Sequence, residues 1–393
     1  MDAANASSLT PDADLRVHIC DWLPVHVASI QPSKSPQIPV VKANQFRRLA
    51  PDLDVWDAWP LQLSDGRVAR FDGAVVWMAL SAPVMGDPAL RHQRARIRLI
   101  LEKDGAWHDC GPAMPDGFSP GACEWSGSAV FHPETARVDL HFTATSRRGE
   151  AFKPEQRLFT ATARLAGEGR QVRLADWTAP VEMIPALAPW RAPAVGEDKV
   201  AGFINALRDP AVFRDPKDGR DYMVYAASLA EGGALYNGAV GVAAAAPGGG
   251  WRDLGPLIRA RGVNHELERP HIVHAQGCYC LFWCTQQKMF SPSGPSGPTG
   301  LYAMVATSVL GPYAPVNGSG LVAGNPASEP NQTYAWWVTG EGDVYGFVDL
   351  WGTAGQSEAY VSAHPRDFFG GAIAPPFRLE LQGAQVRLTD ASI

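Results

Sequence analysis

From residue 46 onward, apolar and polar positions alternate in short runs that break at Gly, Pro, Asp or Asn, the rhythm of strands joined by turns. Helical spacing is scarce: residues 1–45 read as an irregular arm rich in Pro, Ser and Ala, with one short helix expected near residues 43–49. The strand pattern recurs loosely. Five times a polar or acidic start leads into a short strand, a Gly/Asp/Asn turn, and an apolar aromatic strand. The starts are Trp56-Asp57, Glu124-Trp125-Ser126, Arg208-Asp209-Pro210, Glu268-Arg269-Pro270 and Thr333-Tyr334. They lie about 60 to 85 residues apart, enough for a four-stranded blade with its loops, which predicts an all-β, five-bladed β-propeller over residues 46–393. In a propeller the innermost strand of each blade begins at the central channel, so five polar starts far apart in sequence converge on one funnel. A β-sandwich is the competing architecture, but its repeats are shorter and its polar starts do not converge.

Composition narrows the partners more than the fold. The 393 residues are 46% hydrophobic and 19% charged, an ordinary globular balance with ample core. A net charge of −6 and the lack of any Lys/Arg run argue against nucleic acid or a membrane surface as partner. The first 15 residues are polar and acidic, which predicts no cleavable signal peptide and leaves a cytoplasmic address or export by another route open. The six cysteines form no zinc pattern: Cys278, Cys280 and Cys284 fall at even offsets on one strand face and read as small hydrophobes, while a Cys110–Cys123 bridge stays open. His271 and His274 read as strand-face residues, Pro247-Gly248-Gly249-Gly250 as a turn, and residues 291–300 as a surface loop able to rim the funnel.

The repeat starts carry chemistry. Val55-Trp56-Asp57-Ala58-Trp59-Pro60-Leu61-Gln62 sets one carboxylate between two indoles, the kind of flat apolar face that packs either on core or on a sugar ring. Asp209 follows Arg208, and Glu268 lies two residues from Glu266 and beside Arg269. Each acid alone reads as the end of a turn. Three at matching repeat positions match what retaining glycosyl transfer needs: an ionised carboxylate to attack the anomeric carbon and a protonated one to serve the leaving oxygen, about 5–5.5 Å apart. Glu268 is the natural proton donor, because the like charge of Glu266 is expected to raise its pKa.

Taken in order, residues 55–62, 124–129, 208–210, 266–270 and 332–334 resemble the motif set of the levansucrase family, the bacterial fructosyltransferases and β-fructofuranosidases of glycoside hydrolase family 68. The resemblance spans nearly the whole chain from about residue 40 and implies a five-bladed propeller acting on sucrose by double displacement. It implies Asp57 as nucleophile, Glu268 as general acid/base and Asp209 as transition-state stabiliser, with Trp56, Trp125, Ser126, Asn205, Arg208, Glu266, Arg269 and Tyr334 lining the sucrose pocket. The partners implied are sucrose and fructosyl acceptor sugars, with no cofactor.

Two departures fall where the acceptor or leaving sugar sits. Gln286 stands where the family usually has Arg or His, and Tyr334-Ala335-Trp336 replaces a common Tyr-Ser-His. Both weigh on polymer synthesis more than on sucrose cleavage. His265 stands where calcium-binding relatives place Asp, so no structural calcium is expected. A propeller that binds sugar without cleaving it, or a five-bladed glycosidase of fructans or arabinans, are the other readings.

Overall fold

A computed structural model describes residues 15–31, 34–185, 189–190, 203–231 and 235–390. Its strands form five antiparallel blades in chain order. The first contains Leu53–Gln62, Ala74–Pro83, Arg96–Lys103 and Ala106–Pro112. The second contains Cys123–His132, Arg137–Thr145, Gln156–Ala166 and Arg173–Ala175. The third runs through Leu207–Arg214, Asp221–Ser228, Gly238–Ala245 and Trp251–Arg259. The fourth has Glu268–Ala275, Cys278–Thr285 and Gly300–Ala306, edged by Ala314–Pro315 and Leu321–Gly324. The fifth has Thr333–Val338, Asp343–Leu350, Phe377–Gln382 and Gln385–Asp390, with Phe369–Ile373 also on its second strand. All five predicted starts open or lie within an inner strand. The first two blades join where Leu61 and Gln62 pair in parallel with Ala129 and Val130.

The inner strands share one irregularity that the repeat did not disclose. Each slips register near its start: Trp56/Trp59, Trp125/Gly127, Arg208/Ala211, Glu268/His271 and Tyr334/Trp337. A plain strand sends neighbouring side chains to opposite faces, whereas a bulge re-aims them. In four blades the bulged residue is left-handed without being glycine: Asp57 (φ 51°), Asp209 (φ 59°), Arg269 (φ 50°) and Ala335 (φ 55°). In the second blade Gly127 relieves a different crowding, since a Cβ there would fall 1.9 Å from the His141 carbonyl oxygen.

Aromatic side chains fill the blades and their junctions. Trp56, Trp59, Trp77, Trp283 and Trp336 are fully buried. The arm adds Trp22, whose indole donates to the Ser319 carbonyl (2.9 Å) and meets Trp283 and Tyr302 edge-on. Cys20–Asp21 adds a parallel strand to the third blade's outer edge, and Val41 N–H donates to the Gln332 side chain.

The helix expected near residues 43–49 is absent: that stretch is turns, and the short helix lies at Pro24–Ala28. Arg48 is drawn instead to the buried Asp54 (2.7 Å) and the Phe369 carbonyl, a tertiary demand that overrides local helix preference. All six cysteines are free thiols, so Cys110 and Cys123 are not bridged; Cys123 donates to the Gln93 carbonyl. His271 stacks on Trp337 and accepts from Val338 N–H, as a strand-face residue does. Residues 291–300 do not rim the funnel; Gly297 lies against Tyr302, Phe290 and Ile30 of the arm. Among the described residues no helix is long and apolar enough to cross a membrane.

Candidate active site

The five bulges open on one cavity of about 1310 Å³. Both residues of every bulge pair line it: Trp56 and Asp57, Trp125 and Ser126, Arg208 and Asp209, Glu268 and Arg269, Tyr334 and Ala335. The repeat therefore delivers ten side chains, two per blade, to the mouth of the channel. Glu266 and Gln286 line it as well.

Arg208 is the centre of the acidic floor. Its guanidinium lies 2.9 Å from Glu268 Oε1, 3.2 Å from Glu266 Oε1 and 3.7 Å from Asp209 Oδ2, and these carboxylates hold its pKa above the ordinary arginine value despite burial. Gln156 fixes the arginine from behind, accepting from Leu207 N–H and Arg208 Nη1. The other oxygen of Glu268 accepts from the Tyr334 hydroxyl. Asp57 Oδ2 accepts from the Ser126 hydroxyl (2.5 Å), and Asp209 Oδ2 from the Arg269 backbone N–H (3.0 Å).

Burial dominates the titration of this floor. It raises Asp57 above the usual carboxylate value, opposed by the Arg269 charge and the Ser126 hydrogen bond. It lifts Asp209 to about 6, against Arg208 and with help from the charges of Glu268 and Asp57. Glu266 goes up to about 7 through burial, with Arg208 opposing and Glu268 adding repulsion. Glu266 is the more deeply buried of the two glutamates.

This has a measurable consequence for stability. An acid whose pKa is higher folded than unfolded binds its proton more tightly in the native state, so stability falls as pH rises from about 4.5 to 7. Glu266→Gln removes that contribution. The melting temperature of the variant relative to the parent should therefore rise by roughly 2–6 °C between pH 4.5 and pH 7.5. A difference that stays constant over this range would rule the burial argument out.

Several expected residues take different places. Asn205 does not line the cavity; its carbonyl accepts from Gln156 Nε2 (2.9 Å) and it supports the floor from outside. Arg269 reaches the cavity, but its guanidinium donates to the carbonyls of Ala335 (2.5 Å) and Ala58 (2.8 Å), tying the inner strands of the fourth, fifth and first blades together. Trp59 faces the blade core beneath that guanidinium, and only Trp56 of the two indoles is a wall. His265 is packed edge-on against Phe203, accepts from Tyr236 N–H, and is held neutral by burial at about 4.

Many lining residues escape the repeat logic, Arg91, His92, Lys288 and Asp349 among them. Arg91 and His92 arrive from the 3₁₀ turn Pro88–Gln93, between the second and third strands of the first blade. The Arg91 guanidinium lies 5.2 Å over Trp56 and 4.5 Å over Phe369. His92 sits edge-on to Trp56 and Trp125, and burial among Arg91, Arg208 and Lys288 keeps it neutral. The signal that could have found them is Asp87-Pro88, an N-cap and first-turn pair in which Asp87 accepts from Ala89 N–H. Asp349 and Lys288 complete the wall; burial raises the Asp349 carboxyl against the charges of Arg91 and Lys288.

Comparison with known proteins agrees with this geometry. The family model described as Levansucrase/Invertase matches residues 14–234 and 231–392. A levansucrase of Pseudomonas savastanoi pv. glycinea is 30% identical, the match covering 90% of this chain and 88% of the relative. An inulosucrase from Halalkalicoccus jeotgali, solved bound to kestose, superimposes with a TM-score of 0.85 at 32% identity over 95% of each chain. A β-fructofuranosidase from Microbacterium saccharophilum shares the fold with a TM-score of 0.81 at 20% identity, over 97% of this chain and 85% of its own. Five bulged blade starts, three acids around one arginine, and a family match over nearly the entire length lead to one assignment: the chain belongs to the levansucrase/invertase family, glycoside hydrolase family 68.

Proposed function

We propose that the protein cleaves sucrose by a retaining double displacement, through a fructosyl-enzyme intermediate passed to water or to a sugar acceptor. Residues 46–393 are the catalytic unit, and the preceding arm packs on it. The observation that carries the reading is the convergence of Asp57, Asp209 and Glu268 on one cavity, with Asp209 and Glu268 both at Arg208.

Asp57 is the nucleophile. Its Oδ2 is oriented by Ser126, and the nearby Arg269 charge favours the anionic form that attacks, against the burial that raises the carboxyl. Attack on the fructosyl anomeric carbon breaks the glycosidic bond, whose oxygen leaves with the glucose unit. Glu268 gives that oxygen its proton, then takes one from the incoming water or acceptor hydroxyl. Tyr334 and Arg208 each hold one Glu268 oxygen, which fixes the carboxyl for both transfers. Asp209, anchored by the Arg269 N–H, binds fructosyl hydroxyls as positive charge develops on the ring. Trp56 and Trp125 supply apolar walls, and Arg208 and Glu266 complete the sugar contacts. Arg269 and Asn205 act through the residues they position.

Gln286 lines the cavity together with Lys288 and Asp349, and in this reading it serves the acceptor. Its amide both donates and accepts without charge. Gln286→His should shift the ratio of free fructose to transferred fructose by at least about 2-fold while sparing glucose release, because acceptor affinity changes and the cleavage floor does not. Product analysis in concentrated sucrose checks this, and an unchanged ratio discounts the residue. The function itself is tested by incubation with sucrose. Glucose release supports it; bound sucrose without glucose release overturns it in favour of a binding propeller, and inulin or levan hydrolysed much faster than sucrose redirects it to a fructan hydrolase.

A further inference from the structure

The inner strands that bring the acids to the funnel also end at a second cavity. Arg214 lies five residues beyond Asp209, and His132 six beyond Ser126, so it opens roughly 17–20 Å further along the same strands. Its volume is about 350 Å³, within the range of small-molecule sites. It is walled by the second and third blades, with Gln62 and the turn after it closing one side.

Its lining is polar but electrically balanced. Arg214 holds Asp221 bidentately, Nε at 2.8 Å and Nη2 at 2.7 Å. Asp139 accepts from Arg137 (3.1 Å) and from Thr162 Oγ1 (2.9 Å), and lies 2.8 Å from His132 Nε2. Arg214 uses two of its five N–H donors in this pair and keeps three. Between the two ion pairs stands His141, only 6% exposed, with a buried Nδ1 that has no hydrogen-bond partner. That nitrogen is closed off from the cavity, so His141 serves here as part of the wall between the two pairs. The half-buried Trp251 meets the His141 ring edge-on and adds an aromatic wall.

We propose that this cavity is a second sugar-binding site that takes a hexose, separate from the funnel where bonds are broken. An anion fits poorly, because it would face Asp139 and Asp221 as closely as the arginines. An apolar ligand would leave the donors and carboxylates uncompensated. A neutral polyol satisfies both: ion-paired arginines and aspartates present donors and acceptors side by side, as vicinal hydroxyls do, and Trp251 offers a surface to the apolar face of a ring. The ring of His141, its pKa held at about 4 by burial, is neutral and adds no charge to the wall. Occupancy would bridge the second and third blades, so the sugar should stabilise the fold by mass action.

The test uses the full chain carrying Asp57→Ala, so that no sugar is consumed, and D-glucose or D-fructose as probe. Thermal unfolding is followed with and without hexose, in that background alone and combined with Arg214→Ala or Trp251→Ala. The expected result is a hexose-induced rise in melting temperature that falls by at least about half with either cavity substitution. Inorganic phosphate at equal ionic strength should give no rise that these substitutions remove. Equal hexose shifts with and without the cavity substitutions would overturn the proposal, as would a phosphate response lost with Arg214→Ala. Sucrose turnover by Arg214→Ala in the otherwise native chain should stay within about 2-fold, since the residue lies outside the funnel. Absence of turnover in the native chain would count against the sucrose reading, while the unfolding data judge the second site independently.

Discussion

Asp57→Ala should lower sucrose turnover on the order of 10⁴- to 10⁶-fold, the scale seen when a covalent nucleophile is removed, and leave the fold intact. The loss follows from geometry: Asp57 is a funnel carboxylate oriented by the Ser126 hydroxyl and acted on by the charge of Arg269. The fold survives for a reason contained in the molecule. Asp57 is left-handed at φ 51°, a conformation that usually penalises alanine, yet the fifth blade carries Ala335 at the same bulge position at φ 55°. The propeller therefore already holds an alanine there. Because burial raises the Asp57 pKa, the ionised group weakens the folded state at neutral pH, and its removal should leave the melting temperature at pH 7 unchanged or higher. Activity above a few per cent of the parent, in a protein that melts normally, would place the nucleophile elsewhere. A large drop in melting temperature would instead make Asp57 a structural residue.

The same bulge explains which parts of the site could be read from sequence. Strands and hairpins were legible because alternation and Gly/Asp turns are local signals, and all five repeat starts lie on inner strands. That two consecutive residues per blade face the channel was not legible. Strict alternation would have sent one of each pair into the blade, and only the register slip at Trp56/Trp59 and its four counterparts brings both out. With the bulges aligned, Trp56, Arg208, Glu268 and Tyr334 occupy one position and Asp57, Asp209, Arg269 and Ala335 the next. The candidate nucleophile and the candidate acid thus come from different positions of the same repeat. Arg269 shows the limit of such mapping: it holds the place of Asp57 and Asp209, but its long side chain bends back to the carbonyls of Ala58 and Ala335. Arg91 and His92 enter from a loop whose length and direction no periodicity encodes. Asn205 was misplaced by its closeness in sequence to Arg208, whereas the contact that matters runs through Gln156, 49 residues earlier.

Glu268→Gln should cut sucrose turnover roughly 10²- to 10⁴-fold, the range for loss of a general acid/base. The loss should depend on the leaving group. Glucose leaves as an alkoxide unless Glu268 protonates it, whereas fluoride departs from a β-fructosyl fluoride with little need of a proton. The first step should then be nearly restored on the fluoride, and release of the fructosyl group should become limiting, since water attacks poorly without a base. A small anion such as azide needs no deprotonation and should speed that second step. Glutamine keeps the acceptor oxygen that the Tyr334 hydroxyl uses, and Arg208 retains Glu266 at 3.2 Å and Asp209 at 3.7 Å, so the floor should hold its shape. The single-turnover rates on sucrose and on the fluoride, with and without azide, carry the decision. If both substrates lost activity in parallel and azide did nothing, Glu268 would be only a brace for Arg208, and the proton donor would have to be sought at Glu266, the buried carboxyl whose pKa lies near 7.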